Sequence, residues 1–254
     1  MGSIEKNIHE MNKIQDLQER SLWMNDLHPL AKLLVSLVYV FTVASVGKYE
    51  ITPLILLSGY LFFVFITGEL SLKEGLYRVR LILPLVIFVG IFNPFFDKTP
   101  VAVGSFIISG GVISMLTLMV KGLYTVLGAY VLIATTSIDD ICYALRCLHI
   151  PKVIVIVVML IYRYFDVMAA EADRIFTAYR LRAPRQKGIH YKAWGTLVGQ
   201  WLLRSMDRAE LVYESMLLRG FDGDFHLRKK KTSIADILYF CIWITAFVAI
   251  IGVF

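Results

Sequence analysis

Five long apolar runs decide what this chain can become: Leu30–Val46, Ile51–Thr67, Leu81–Phe96, Phe106–Thr135 and Ile234–Phe254. A helix that crosses a bilayer needs roughly 20 apolar residues, because the hydrocarbon is about 30 Å thick and each helical residue rises about 1.5 Å. The first three runs fall slightly short, and Tyr49, Tyr60 and Phe96 extend them into the interface. The fourth is too long for one upright helix. Gly110-Gly111 divides it into a short interfacial or re-entrant piece and a helix near Val112–Thr135. With 57% hydrophobic and 18% charged residues, the chain carries more apolar surface than one water-soluble core can bury. The expectation is an all-α, polytopic membrane protein with about five transmembrane helices. A nucleic-acid binder, a disulfide scaffold and a disordered tail are all disfavoured.

The charges give an orientation. Residues 136–232 hold 16 Lys/Arg against 10 Asp/Glu, which accounts for the whole net charge of +6. An excess of Lys and Arg marks the cytoplasmic side of a membrane. The inner segments are then 1–29, Gly68–Arg80 and Thr136–Thr232, and the outer ones are Gly47–Glu50 and Asp97–Gly104, with one lysine each. Residues 1–28 contain Lys6, Lys13, Arg20 and five acids but no apolar core, so they read as a cytoplasmic N-terminal segment and not as a signal peptide. The expected organisation is that segment, four helices over 29–135, a cytoplasmic domain of amphipathic helices over 136–232, and a final helix over 233–254. The place is a cell's inner (cytoplasmic) membrane.

Within the inner domain, Ser137 caps a short helix Ile138–Leu148, with Asp140 three residues on. Val153–Tyr162, ten apolar residues after Pro151-Lys152, is too short to span, and as a sixth span it would export the 14 Lys/Arg of residues 163–232. It reads as an inner-domain helix that starts at Pro151. Val167–Leu181 runs without Gly or Pro until Pro184, and Gln200–Arg219 runs until Gly220 and the turn Asp222-Gly223-Asp224. Met206, Ala209, Tyr213 and Met216 recur at intervals of 3, 4 and 3, one apolar stripe. Two long amphipathic helices suggest a docking platform.

The sequence offers little for catalysis. It has no G-x-x-x-x-G-K-[ST] phosphate loop, no H-E-x-x-H and no G-x-S-x-G. His9, His28, His149, His190 and His226 are dispersed and read as loop or interface residues, while Cys142, Cys147 and Cys241 read as ordinary helical residues. Asp166, Glu171 and Asp173 read as surface charges spread along one helix. In the spans the ionisable residues are Lys32 and Asp236, near inner ends where a polar head can reach water, and Lys121. A charge at mid-depth costs about 2.5–3.5 kcal/mol. Lys121 therefore either makes a polar contact within the helix bundle or sits at the Gly110-Gly111 interface.

Several short motifs carry a resemblance. They are Leu27-His28-Pro29-Leu30-Ala31-Lys32, Thr135-Thr136-Ser137, Ala144-Leu145, Ile150-Pro151, Arg163-Tyr164, the run Ala178 to Ala183, Leu197 to Glu210, and Ser215 to Gly223. Together they resemble the transmembrane T component of energy-coupling-factor transporters, in its cobalt-type (CbiQ) branch. The resemblance implies two cytoplasmic coupling helices, each ending near an x-Arg-x tripeptide whose arginine docks into a groove of an ATPase subunit. The matching positions are Leu181-Arg182-Ala183 and Leu218-Arg219-Gly220. Gly220 fits the family pattern, whereas Ala183 departs from its Gly or Ser, so Arg180 is the alternative register for the first motif.

The resemblance also implies partners: two ATPase subunits, a membrane substrate-binding component, and a small accessory membrane subunit if the cargo is cobalt. A nickel- or vitamin-linked version is the alternative, since substrate choice belongs to the partner. This chain would be a mechanical transmission, embedded in the lipid bilayer, that holds no catalytic residue, metal, nucleotide or other cofactor and binds no nucleic acid. Two rivals come from other classes. A stand-alone secondary carrier calls for buried charges or broken helices in matching halves, and a membrane-embedded transferase calls for clustered acids.

Overall fold

A computed structural model describes residues 17–18, 22–96, 100–103, 106–184, 186, 188–225 and 232–253. Most of the expected N-terminal segment and the outer residues Asp97, Lys98 and Gly104 lie outside the described residues. In chain order the elements are α1 (Trp23–Asp26), α2 (Pro29–Ser45), α3 (Thr52–Thr67), α4 (Leu72–Gly90), α5 (Asn93–Phe96), β1 (Pro100–Val103), β2 (Phe106–Ser109), α6 (Gly110–Thr135), α7 (Ile138–Cys147), α8 (Lys152–Arg182), α9 (Tyr191–Leu218) and α10 (Ile234–Val253). The protein is an all-α polytopic membrane protein with one small hairpin. It divides into two compact units, one from residues 145–225 and one from residues 22–144 and 232–253.

The second unit is a helix bundle. α6 packs against α2, α3 and α4, and α10 packs against α2 and α3. Its core is aromatic. The Tyr60 ring lies 4.7 Å from Tyr39, 4.8 Å from Trp243 and 5.5 Å from Phe247. Tyr60 and Tyr239 share a hydrogen bond of 3.4 Å between their hydroxyls. The outside is apolar as well: Phe41, Ile66, Phe88 and Val248 are all more than 60% exposed. Only a hydrocarbon environment makes such a surface favourable.

Small residues let these helices approach. A Cβ added at Gly128 would stand 3.0 Å from two ring carbons of Tyr39, whereas one at Gly59 would meet nothing within 4 Å. Gly128→Val is therefore expected to destabilise the bundle by about 1–3 kcal/mol through overpacking. Gly59→Val should stay within about 0.5 kcal/mol. Thermal unfolding of the two variants in detergent makes the comparison, and equal stabilities would contradict the packing.

Four local expectations change. Residues 106–109, expected as a short interfacial or re-entrant piece, take the form of an extended strand: β1 and β2 pair antiparallel, with Val103 opposite Phe106. α4 starts nine residues before the expected Leu81, because Ser71 caps it through the Glu74 N–H at 3.4 Å and nothing breaks the helix at the charged Lys73, Arg78 and Arg80. The inner loop expected over Gly68–Arg80 shrinks accordingly. Val153–Tyr162 is no separate short element, since it runs on into Val167–Leu181 as the 31-residue α8. By length and composition α8 could cross a membrane, as could α6 and α10.

The fourth change concerns Lys32 and Asp236, which do not reach water. They are 2% and 4% exposed. Lys32 Nζ donates to the carbonyls of Thr135 at 2.7 Å and Asn25 at 3.3 Å. Asp236 accepts from the backbone N–H of His28 at 2.7 Å and of Ser233 at 2.6 Å. One carboxylate thus satisfies orphan donors at the starts of both α2 and α10, where a negative charge suits both helix dipoles.

Lys121 resolves to a polar contact within the bundle. Its ammonium donates to the carbonyls of Val46 and, at 3.3 Å, of Ala44, closing the C-terminus of α2.

Candidate functional site

The unit of residues 145–225 is built on α8 and α9. Pro151 precedes the first turn of α8, whose opening N–H groups of Ile154 and Val155 bond the Pro151 carbonyl. α8 ends at Arg182, where Ala183 leaves helical geometry ahead of Pro184. α9 begins at Tyr191, nine residues before the expected Gln200, because His190 caps it: His190 Nδ1 accepts from the Lys192 N–H at 3.2 Å. The connection is tied by Tyr179, whose hydroxyl accepts from the His190 N–H at 3.2 Å and donates to Gln186 Oε1 at 3.1 Å.

The two helices run antiparallel. Phe176 meets Trp194 edge-on at 6.1 Å. One level along, Trp201 Nε1 donates to the Met168 carbonyl at 3.2 Å, and Glu171 accepts from Arg204 across the pair and from Arg174 at 3.3 Å. Such solvent-screened ion pairs add little to stability and serve to align the helices. Further on, Leu160 and Tyr164 stand opposite Val212 and Met216 and line a groove of 870 Å³ with them. Of the expected stripe, Ala209, Tyr213 and Met216 line this groove, while Met206 is exposed outside it.

The end of α9 is fixed by its sequence. Gly220 adopts φ +81°, its N–H bonds the Leu217 carbonyl at 2.9 Å, and the Phe221 N–H bonds the Met216 carbonyl at 3.0 Å. This Schellman arrangement needs a residue free to take left-handed geometry. A carboxylate then anchors the segment that follows. Asp224 accepts from Arg146 at 2.7 Å and from Lys152 at 3.0 Å, and Arg146 also donates to the Phe225 carbonyl at 2.7 Å. Hydrogen bonds from Lys152 and Arg146 hold the Asp224 carboxyl below the usual carboxylate range. A lowered pKa means a link present above the ordinary carboxylate range and lost as pH falls through the lowered one. Amide protection over residues 219–225, taken against the intrinsic exchange rate at each pH, is accordingly expected to hold from pH 8 to about pH 5 and to fall only below about pH 4. A loss of protection near pH 6 would contradict the link.

The candidate docking residues stand out by exposure. Leu181 is 77% exposed and Leu218 is 90% exposed, an unusual state for leucine, and each precedes an exposed arginine, Arg182 or Arg219. Arg182 is the last helical residue of α8, Arg219 is the C-cap of α9, and Ala183 and Gly220 follow them. Arg180 is exposed too and lies in the last turn of α8, about 200° around the helix from Arg182. The two sites are brought to opposite ends of the pair, not together. Arg219 shares a cavity with Arg163, and the 19 residues from Arg163 to Arg182 correspond to about 28 Å of helix.

Sequence reasoning missed the Asp224 anchor and the Glu171–Arg204 pairing, since Asp222-Gly223-Asp224 looked like a turn and Glu171 like a surface charge. The sign available was the pairing of Arg146 and Lys152 on either side of the Ile150-Pro151 bend. Among the described histidines, His28 and His190 are helix caps and His149 sits in a turn at φ +62°. Among the described residues no three His, Cys, Asp or Glu side chains gather where they could hold a metal.

Comparison with known proteins gives this geometry a family. Residues 20–232 match the model of the CbiQ family, described as a cobalt transport protein. An uncharacterized protein of Methanocaldococcus jannaschii, MJ1571, is 24% identical over 227 residues, covering 84% of this chain and 77% of that protein. A second uncharacterized protein of the same organism, MJ1089, is 32% identical over 113 residues, covering 43% of this chain and 42% of that protein. With the family model covering α1 through α9, this chain belongs to the CbiQ cobalt transport protein family.

Proposed function

We propose that this chain is the coupling component of an energy-coupling-factor importer. It joins two ATPase subunits to a membrane substrate-binding component and, in a cobalt system, to a small accessory membrane subunit. The observation that carries the reading is the repeated end of the α8/α9 pair: an exposed leucine followed by an exposed arginine, twice, about 28 Å apart along the pair. Two ATPase subunits need two footholds on one chain, and two separated Leu-Arg ends supply them. An arginine at a helix C-terminus is favoured by the dipole and offers a planar, five-donor fork to a carboxylate. The leucine beside it adds apolar surface that water does not reward.

In this reading, closure of the ATPases on ATP moves the two helix ends, and the helix pair carries that movement to the substrate-binding component, which reorients and releases Co²⁺ inward. The chain itself performs no chemistry. It sits in the inner membrane with its N-terminus and the α8/α9 pair on the cytoplasmic side, in keeping with the surplus of 16 Lys/Arg over 10 Asp/Glu in residues 136–232. The family's description as a cobalt transport protein supports Co²⁺ over nickel or a vitamin.

Co-purification with the ATPase subunits of the same transporter tests the reading. Wild-type chain should retain ATPase, and Arg219→Glu should lose most of it while its helix content is unchanged. Equal retention by the two would remove Arg219 from the interface.

A further inference from the structure

We propose that the two footholds are unequal: the turn between α8 and α9 draws an acidic ATPase surface by long-range charge and is docked first, while the far end of α9 is docked second and depends little on salt. The inference rests on the coupling reading and deepens it. Residues 180–192 carry five Lys/Arg (Arg180, Arg182, Arg185, Lys187 and Lys192) and no Asp or Glu. Residues 214–224 carry Glu214, Asp222 and Asp224 against Arg219 alone.

The fold gathers the first set of charges. The Tyr179 hydroxyl, one residue before Arg180, is bonded to the N–H of His190, two residues before Lys192. The last turn of α8 and the first turn of α9 therefore present their cations at the same end of the pair. Arg180, Arg182 and Lys192 are exposed and make no ion pair among the described residues. Lys192 also stands where the dipole of α9 disfavours a cation, and no acidic residue in that first turn offsets it. A charge set against its own helix calls for an acid from outside. Tyr191, 89% exposed, and Leu181 lie among these cations, and tyrosine and arginine are the residues that protein interfaces favour.

The far end mixes its signs. Asp224 is engaged by Arg146 and Lys152, and Arg163, Arg208 and Arg219 border one cavity with Asp222. The last turn of α9 has no basic residue, and Glu214 is exposed. The two ends are about 28 Å apart along the pair, roughly three times the Debye length of about 8 Å at physiological salt, so neither end feels the charge of the other. A surface of one sign raises association rates about 10- to 1,000-fold, and the gain falls steeply as salt rises. That gain belongs to the turn, so the first ATPase to arrive docks there.

Association rates of purified ATPase subunit with the full chain in dioleoylphosphatidylcholine nanodiscs, read at about 50 mM and about 500 mM salt, make the test. Arg219→Glu leaves the turn as the working foothold, and its association should slow at least about ten-fold between the two salts. Arg182→Glu leaves the far end, and its association should slow less than about three-fold. Adding Arg180→Gln and Lys192→Gln to Arg219→Glu should remove most of the rate at low salt and leave dissociation within about two-fold, because charges around a contact act on encounter more than on residence. Both added sites are exposed, and unchanged helix content shows that the variant is folded. Equal salt dependence in the two single variants, or an equal loss at both salts from the added pair, would overturn the inference while the coupling reading stands. Slowing of the Arg219→Glu chain by phosphatidylglycerol in the nanodisc would overturn it in favour of a lipid headgroup at the turn. No binding by wild type at either salt would overturn both.

Discussion

Replacing Arg182 and Arg219 together by glutamate is expected to reduce ATPase retention at least a hundred-fold while the chain still inserts and folds. Truncating one member of a buried, hydrogen-bonded charge pair costs about 2–5 kcal/mol, and reversal adds repulsion to the loss. With two footholds, each single variant keeps the other contact, and a second contact within one complex acts at high effective concentration. Single reversals should therefore fall between wild type and the double, and the loss in the double should exceed either single. Both arginines are exposed, and among the described residues neither side chain makes an ion pair or hydrogen bond that the fold needs, so unfolding is no alternative cause. Arg180→Glu serves as the control for register: a loss matching that of Arg182→Glu would shift the first foothold by two residues. Full retention by the double variant would end the coupling reading and advance a stand-alone carrier.

A second large effect belongs to Asp236. Asp236→Ala removes the acceptor for the His28 and Ser233 N–H groups at one stroke, and a buried donor left unmatched costs about 1–3 kcal/mol. The bundle should lose about 3 kcal/mol or more, a larger drop than Gly128→Val produces. Asp236→Asn keeps one acceptor oxygen and should recover about half of that. Chemical or thermal unfolding in detergent reads both. A loss under about 1 kcal/mol for the alanine variant would show that the carboxylate is dispensable.

Local signals in the sequence proved legible wherever the structure depends on neighbours in the chain. Ser137 caps α7 through the Asp140 N–H at 3.1 Å, Gly220 stops α9, and Pro184 follows the end of α8. The apolar runs locate α2, α3, α6 and α10 because hydrocarbon demands continuous hydropathy. The same measure misplaced the start of α4, since a helix obeys its caps and not the boundary of its apolar part. It also divided α8, where Arg163 and Asp166 interrupt hydropathy without interrupting hydrogen bonding. Contacts between distant residues were invisible for a different reason. Lys32 reaches the carbonyl of Thr135, 103 positions away, and no periodicity encodes such a pairing. The candidate docking residues themselves came through resemblance. Exposure then distinguished them, since a leucine that is 90% exposed cannot be told from a buried one by its letter.

The shared carboxylate of Asp236 carries a consequence for the order in which the molecule comes into being. His28 and Asp236 are separated by 208 positions, which a ribosome covers in about 10–40 s. Throughout that interval the opening N–H of α2 is in place with its clasp not yet made. The bundle is sealed by the arrival of α10 beside α2, so a late helix completes an early one. Pausing translation between Thr232 and Asp236 would prolong an unclasped nascent state, exposed to membrane quality control before any partner has been met.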